Sequence, residues 1–411
     1  MADDLPDLLS LTPLNPRFVR DPHGLYDELR GRCPVRRDDG AGTFLVADFK
    51  NVRDVLGDRT LWKRPDKASP DAVAYRRLIE LSVEDSTTGE RRPSTILLMD
   101  DPDHARVRAP LTQALYGRAA KCKPLVEAIV EETLAPLDAR EGFDVLSDLA
   151  IPVPIDVIGA LLGIDRARRR EFRDWSEGSI QRLNPVRTPE QTTHMERALV
   201  ELRDYMTGLL TARRATPQDD LVTDMARLQA EGAPISDDEI VANLSGLLIA
   251  GNLTTSDLIG NAVYLLLTHP GELAKLKADT SNINAAVEEV LRFEPPTELT
   301  GRIASHDLDL GGCPVRQGQS MHLLLRSANR DPAVFEHAER FDISRERHPH
   351  LAFGGGAHIC IGAPLARMEA QVTLAALFQR FPRLRLANAT AAPPKRMLPF
   401  FNGIDRLDVL I

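Results

Sequence analysis

The stretch LAFGGGAHICIGAPLARME, residues 351 to 369, sets Cys360 between a glycine-rich loop and a proline-marked helix start. Gly354, Gly355 and Gly356 permit tight turning and let a flat ligand approach the main chain where side chains would block it. A helix is expected to open near Gly362 to Pro364, because the N–H that proline lacks would be an orphan in a first turn anyway. A cysteine just ahead of a helix N-terminus meets unsatisfied N–H groups and the positive end of the dipole, which favour thiolate over thiol. The chemistry on offer is an anionic sulfur ligand. A lone cysteine in a turn is more often a small buried hydrophobe, so the weight falls on the whole string.

A second chemical stretch is Ala250-Gly251-Asn252-Leu253-Thr254-Thr255. It lies inside a helix that the capping box Ser236-x-x-Glu239 opens and that His269-Pro270 ends near Thr268. At 1.5 Å per residue that helix spans about 50 Å and, being apolar on several faces, is read as buried. A mid-helix glycine costs up to about 1 kcal/mol relative to alanine, which a flat cofactor pressed against the helix would explain. Thr254 follows Ala250 by one helical turn, so its hydroxyl can bond that carbonyl and loosen the helix locally. Glu289-x-x-Arg292 is a pair of the kind found on many surfaces. His104 and Arg108 share a helical face, either solvated or able to grip one anion. Arg118, Lys121 and Lys123 read as a cationic patch or as a solvated run.

Phe353-Gly354-x-Gly356-x-His358-x-Cys360-x-Gly362 resembles the haem-thiolate signature of the cytochromes P450. The resemblance implies haem b with Cys360 as proximal iron ligand, Phe353 packed by the sulfur, and His358 on a propionate. It also implies His104, Arg108 and Arg302 as further propionate partners. Thiolate ligation pushes electron density onto the iron and favours O–O cleavage, which suits a cysteine there. Residues 250–254 resemble the oxygen-activation motif Ala/Gly-Gly-x-Asp/Glu-Thr, in which the threonine guides protons. Leu253 stands at the acidic position. Asn252 is the nearest polar substitute, but consecutive helical residues point about 100° apart, so its amide is expected to organise water instead. FEHAERFDISR resembles the family's meander, which makes Arg340 the third member of a Glu289–Arg292–Arg340 network holding the cysteine loop, with Ala338 where a proline is usual. By position, Leu247, Leu253, Glu298, Leu299 and Phe400 or Phe401 border substrate; Glu298 is read as an outward, solvated carboxylate or as a partner for a polar group.

The chain has 411 residues, 43% of them hydrophobic and 5% aromatic, which favours helix and supplies a sizeable core. A formal charge of −9 excludes the chain as a whole from binding nucleic acid. The N-terminus is too acidic and short of apolar length for a signal peptide or anchor. Four cysteines without C-x-x-C spacing indicate reduced thiols in a cytoplasmic protein and give no zinc motif. The expected fold is mainly α with a small β region, a single cytochrome P450 domain over residues 1–411. Its helical core covers about 100–294 and 362–381, and β elements come from the N-terminus, 295–325 and 385–411.

Helices are expected over 16–30, 124–137, 157–163, 166–183, 192–215 and 219–230, with a hairpin turning at Asp39-Gly40. Two short helical stretches are expected around Ala72 to Leu81, in a segment that varies within the family. The expected activity is insertion of one oxygen atom from dioxygen into a largely apolar small molecule, with no membrane partner. Electrons would come from NAD(P)H through a separate ferredoxin and ferredoxin reductase, docking near Arg106, Arg118, Lys121 and Arg367 on a monomer. Leu253 keeps a peroxide-using or rearranging haem-thiolate enzyme open, and beside it a haem sensor or carrier.

Overall fold

Strand-forming residues on either side of Asp39-Gly40 build the hairpin expected there. Val35–Asp38 pairs antiparallel with Thr43–Val46, from Val35 opposite Val46 to Asp38 opposite Thr43. Gly42 takes a φ of +63°, and a Cβ on it would sit 1.9 Å from the Asp71 carbonyl oxygen, so glycine is required at this point. Thr43–Val46 also runs parallel to Ser320–Leu324, which pairs antiparallel with Leu299–Ile303. Side chains alternate across this four-stranded sheet. Phe44, Val46, Met321 and Leu323 join one buried cluster with Phe49, Val52 and Leu56 of the helix Phe49–Gly57. Leu45 and Leu324 join another with Leu11, Phe18 and Tyr26. Burial on both faces explains why every residue of Ser320–Leu324 is apolar or hydrogen-bonded.

The computed structural model describes residues 5–72, 83–84, 91–92, 95–184, 186–346 and 349–411. Beyond Ala72, the helical stretches expected up to Leu81 lie outside the described residues. The chain groups into two compact units, each built from separated stretches. The sheet belongs to the first, which combines Met1–Glu80, Gly260–Cys360 and Ala389–Leu407. The second combines Leu81–Ile259, Ile361–Asn388 and Asp408–Ile411. One division falls inside the helix Asp237–Thr268.

In the first unit, the single helix expected over 16–30 is two, Pro16–Arg20 and Pro22–Arg32. Asp21 separates them because its carboxylate accepts from Gly24 N at 2.8 Å and Pro22 can only start a helix. The second unit is mainly helical, with Asp103–Ala119, Lys123–Leu134, Pro152–Leu162, Arg169–Ile180, Pro189–Ala215, Leu221–Ala230 and Ala363–Arg380. The stretch 166–183 is α-helical only over Arg169–Ile180, with a 3₁₀ turn on each side. Thr188 and Gln191 form a reciprocal capping box that starts Pro189–Ala215 earlier than expected. Gly142–Asp144, Arg385–Leu386 and Asp408–Leu410 make a small sheet. The architecture is mainly α with a small β region, as the helix-leaning composition and the family resemblance together implied.

His322 is buried in the four-stranded sheet, with Nδ1 2.8 Å from Thr43 Oγ1. Burial, reinforced by Lys63, pushes its pKa down to about 4. The unfolded chain therefore takes up a proton near the ordinary value of 6.5 while the folded chain does not. Stability is full above that value and is lost as pH falls towards 4. His322→Gln should remove about 2 kcal/mol of the drop in unfolding free energy between pH 7 and pH 5, read from urea titrations. An unchanged drop would show that His322 titrates alike in both states.

Candidate active site

In the first unit, the cysteine loop is closed by its own backbone. Cys360 N donates to Phe353 O at 2.9 Å, Gly354 N to Leu351 O at 2.9 Å and Ile359 N to Gly356 O at 3.2 Å. Gly354 and Gly356 hold left-handed φ values of +69° and +64°. A Cβ on Gly356 would lie 2.1 Å from the Leu56 carbonyl oxygen, so the loop needs that glycine to rest on the end of Phe49–Gly57. Cys360 is exposed and forms no disulfide. Phe353 is half-buried, its ring 6.0 Å from that of His350, and His358 lies in the 3₁₀ turn Gly356–His358. Helix Ala363–Arg380 follows, capped by Gly362, with Pro364 in its first turn.

Arg302 is buried on strand Leu299–Ile303 and donates to Gly301 O at 2.9 Å. Sequence reading missed Lys63, a buried cation that donates to Thr300 Oγ1 at 3.1 Å. Thr300 and Arg302 share a face of the strand, and Trp62 bridges Ile303, which brings Lys63 to that face. The signal available was a lysine directly after the apolar pair Leu61-Trp62.

The ion pair between Glu289 and Arg292 is bidentate, at 2.7 and 2.8 Å, and buried. Arg292 also donates to the carbonyls of Asn329, Ala338 and Arg340 at 3.1, 3.0 and 2.9 Å. The third member is Arg345, not Arg340. Arg345 Nε donates to Glu289 Oε1 at 3.3 Å, and its Nη2 donates to the His337 and Arg340 carbonyls at 3.0 Å each. The Arg340 side chain is 69% exposed beside Glu339, because its carbonyl faces Arg292 and the side chain turns away.

Glu298 is also corrected: it is not solvated. It is buried with one oxygen 2.5 Å from Arg326 Nη1, and burial pushes its carboxyl above the ordinary range against the pull of that arginine. Its backbone N donates to Phe400 O at 2.9 Å. Phe400, at φ +71°, belongs to the buried cluster of Leu11 and Tyr26, while Leu299 is half-buried. Next to Glu298, Glu294 is gripped by His23, Arg326, Arg330 and Asn402 at 2.8, 2.5, 2.9 and 2.7 Å. Burial alone would raise its pKa; Arg326 and His23 hold it well below the ordinary value.

In the second unit, the middle of the long helix alternates in exposure: Ala250 is exposed, Leu247, Gly251 and Thr254 are half-buried, and Asn252 and Leu253 are buried. Thr254 Oγ1 donates to Ala250 O at 2.8 Å, the bond expected from their spacing. A Cβ on Gly251 would meet Ile158 at an ordinary 3.5 Å. The Asn252 amide donates to Ser176 Oγ at 2.7 Å and to Leu248 O at 2.8 Å.

His104 is buried 3.6 Å from Asp101, and Arg108 is half-buried one turn on. The expected cationic face is largely spent internally. Arg106 pairs with Asp103 and Glu239 at 2.9 and 2.6 Å, and Arg118 with Asp224 and Asp219 at 2.5 and 3.1 Å. Lys121 stays exposed and Arg367 half-buried.

Arg345→Ala should lower the free energy of unfolding by about 2 kcal/mol, because it takes a donor from the buried Glu289 carboxylate and from the His337 and Arg340 carbonyls. Arg340→Ala should stay within about 0.5 kcal/mol of the parent. Equal losses in urea unfolding would overturn the reassignment.

Residues 75–402 match the family model described as cytochrome P450. The chain is 34% identical to cytochrome P450 107B1 of Saccharopolyspora erythraea over 418 residues, 99% of this chain and 98% of that protein. It is 34% identical over 397 residues to 6-deoxyerythronolide B hydroxylase of the same species, covering 95% and 96% of the two chains. The crystal structure of P450BioI in complex with an acyl carrier protein superposes with a TM-score of 0.85 at 31% identity, over 96% of this chain and 99% of that one. With the glycine-held cysteine loop, the buried glutamate–arginine pair and relatives matched nearly end to end, this chain belongs to the cytochrome P450 family of haem-thiolate monooxygenases.

Proposed function

We propose that this protein inserts one atom of dioxygen into a largely apolar, aliphatic small molecule, using haem b ligated by Cys360. The observation that carries the reading is the exposed Cys360 thiol on a loop that Gly356 seats against Leu56. Within the first unit the donors suit a haem, with one accessible soft sulfur for iron and buried Arg302 with His358 for a carboxylate, and the second unit carries buried His104 and Arg108 one helical turn apart as further candidates for a carboxylate. When bound, the haem supplies the activation of dioxygen that no side chain can perform.

The remaining chemistry belongs to side chains of this chain. Thr254 Oγ1 donates to Ala250 O, which leaves its lone pairs to accept a proton donor from the dioxygen side. No carboxylate stands at Leu253, so protons reach Thr254 through water rather than through a neighbouring acid. Leu247 and Leu253 give the site aliphatic character. The hydroxylase named for 6-deoxyerythronolide B, and P450BioI in complex with a hexadecenoyl acyl carrier protein, support an aliphatic substrate. Glu298 and Phe400 act behind the substrate, as support.

Electrons come from NAD(P)H through a separate ferredoxin and its reductase, docking near Lys121 and Arg367, on a monomer in the cytoplasm. Among the described residues, no helix is long and apolar enough to cross a membrane. Leu253 also favours a second reading, turnover driven by hydrogen peroxide without reductant.

The reduced protein under carbon monoxide should show the thiolate-type absorption band, and Cys360→His should lose it while retaining bound haem. Retention of that band would refute the ligand. Turnover that needs ferredoxin, reductase and NADPH supports the first reading; equal turnover with peroxide alone would replace it by the second.

A further inference from the structure

Three side chains in succession along the long helix bond back to their own helix. Asn252 Nδ2 donates to Leu248 O at 2.8 Å, Thr254 Oγ1 to Ala250 O at 2.8 Å and Ser256 Oγ to Asn252 O at 2.6 Å. Each of these carbonyls is also the acceptor position of the backbone ladder, and such back-bonding loosens and bends a helix. The segment from Leu248 to Ser256 is therefore softened over about two turns, with Thr254 in its middle. A softened segment holds a defined position only if something outside the helix holds it.

Asn252 makes that outside connection. Its Nδ2 also donates to Ser176 Oγ at 2.7 Å, and its Oδ1 accepts from Arg173 Nη1 at 3.3 Å. Asn252 and Ser176 are both fully buried, so these bonds lie in a dry contact where no water replaces a lost partner. Ser176 and Arg173 belong to Arg169–Ile180, and that helix is tied in turn to Pro189–Ala215. Trp175 Nε1 donates to Glu201 Oε2 at 2.7 Å, Arg197 pairs with Asp174 at 2.8 Å, and the Tyr205 ring packs edge-on against that of Phe172 with centroids 5.2 Å apart. The two helices form a unit, and Asn252 is fastened to it.

We propose that Asn252 is a positioning residue. It registers the softened segment, and with it the Thr254 hydroxyl, against the helix Arg169–Ile180, so that a displacement of that helix pair is transmitted to Thr254. A side chain at 253 cannot do this, since it projects about 100° from 252. The functional half of the proposal rests on the monooxygenase reading; the mechanical half does not.

Hydrogen–deuterium exchange on the purified holoenzyme tests the mechanical half. Ser176→Ala and Asn252→Ala should each raise exchange about tenfold, the equivalent of one buried hydrogen bond, in peptides covering both 169–180 and 248–256. The double variant should exceed neither by more than about twofold, as expected for two partners of one contact. Ser176→Thr, which keeps the hydroxyl, should restore parent exchange. With substrate, the fraction of NADPH electrons lost as hydrogen peroxide should rise severalfold in Ser176→Ala while KM stays unchanged. Exchange that rises in one segment only, or a double variant whose effects multiply, would overturn the coupling whatever the turnover. If Asn252→Ala does not fold, Ser176→Ala and Ser176→Thr decide the matter alone. Parent enzyme that oxidises no substrate with reductase present, while both segments still respond together, would count against the monooxygenase reading and leave the tether standing.

Discussion

The buried bidentate pair between Glu289 and Arg292 is the interaction on which the cysteine loop depends. From it a relay of hydrogen bonds and short covalent links reaches the backbone of Cys360. Arg292 holds Asn329 by its carbonyl at 3.1 Å, and the Asn329 side chain accepts from Leu351 N at 2.7 Å. The Leu351 carbonyl then accepts from Gly354 N, and the Phe353 carbonyl from Cys360 N, each at 2.9 Å. A buried ion pair is weak evidence for net stability, because desolvation offsets much of the attraction. Its value here is directional: a guanidinium with five donors in a fixed plane collects carbonyls from an irregular stretch that has no helix or strand to order it.

Features set within one helix or one loop could be read from the sequence, and those set by the path between elements could not. Cys360 and its glycines sit within ten residues, and Glu289 and Arg292 share one helical turn, so spacing alone specifies their geometry. Arg345 was missed because Arg340 and Arg345 lie on the same irregular stretch. Which of them turns inward depends on the backbone around His337, held at φ +49°. Glu298 was misread because its burial depends on Arg326, 28 residues on, which only the folded sheet brings near. The direction of Asn252 followed from helix geometry, but Ser176, 76 residues earlier, carries no signal in the sequence.

Leu253 and Asn252 together describe how this chain differs around Thr254. The carboxylate position is apolar and buried, and the polar group beside it is committed to structure rather than to solvent. Buried amides whose donors and acceptor are all used are rigid elements, since each bond restricts the others. The proposed tether would place Thr254 under mechanical constraint instead of the electrostatic influence that a neighbouring acid provides.

The central sheet also governs the order of events during synthesis. Thr43–Val46 lies between Val35–Asp38 and Ser320–Leu324, and Thr43 Oγ1 bonds to Ser320 O across 277 residues of chain. At about 5–20 residues per second a ribosome needs roughly 15–55 s to make that interval. Throughout it the early hairpin presents an open strand edge, and an unpaired edge is a template for pairing with other chains. The N-terminal hairpin of a nascent chain thus waits with that edge unpaired, long before any cysteine loop exists to receive a cofactor.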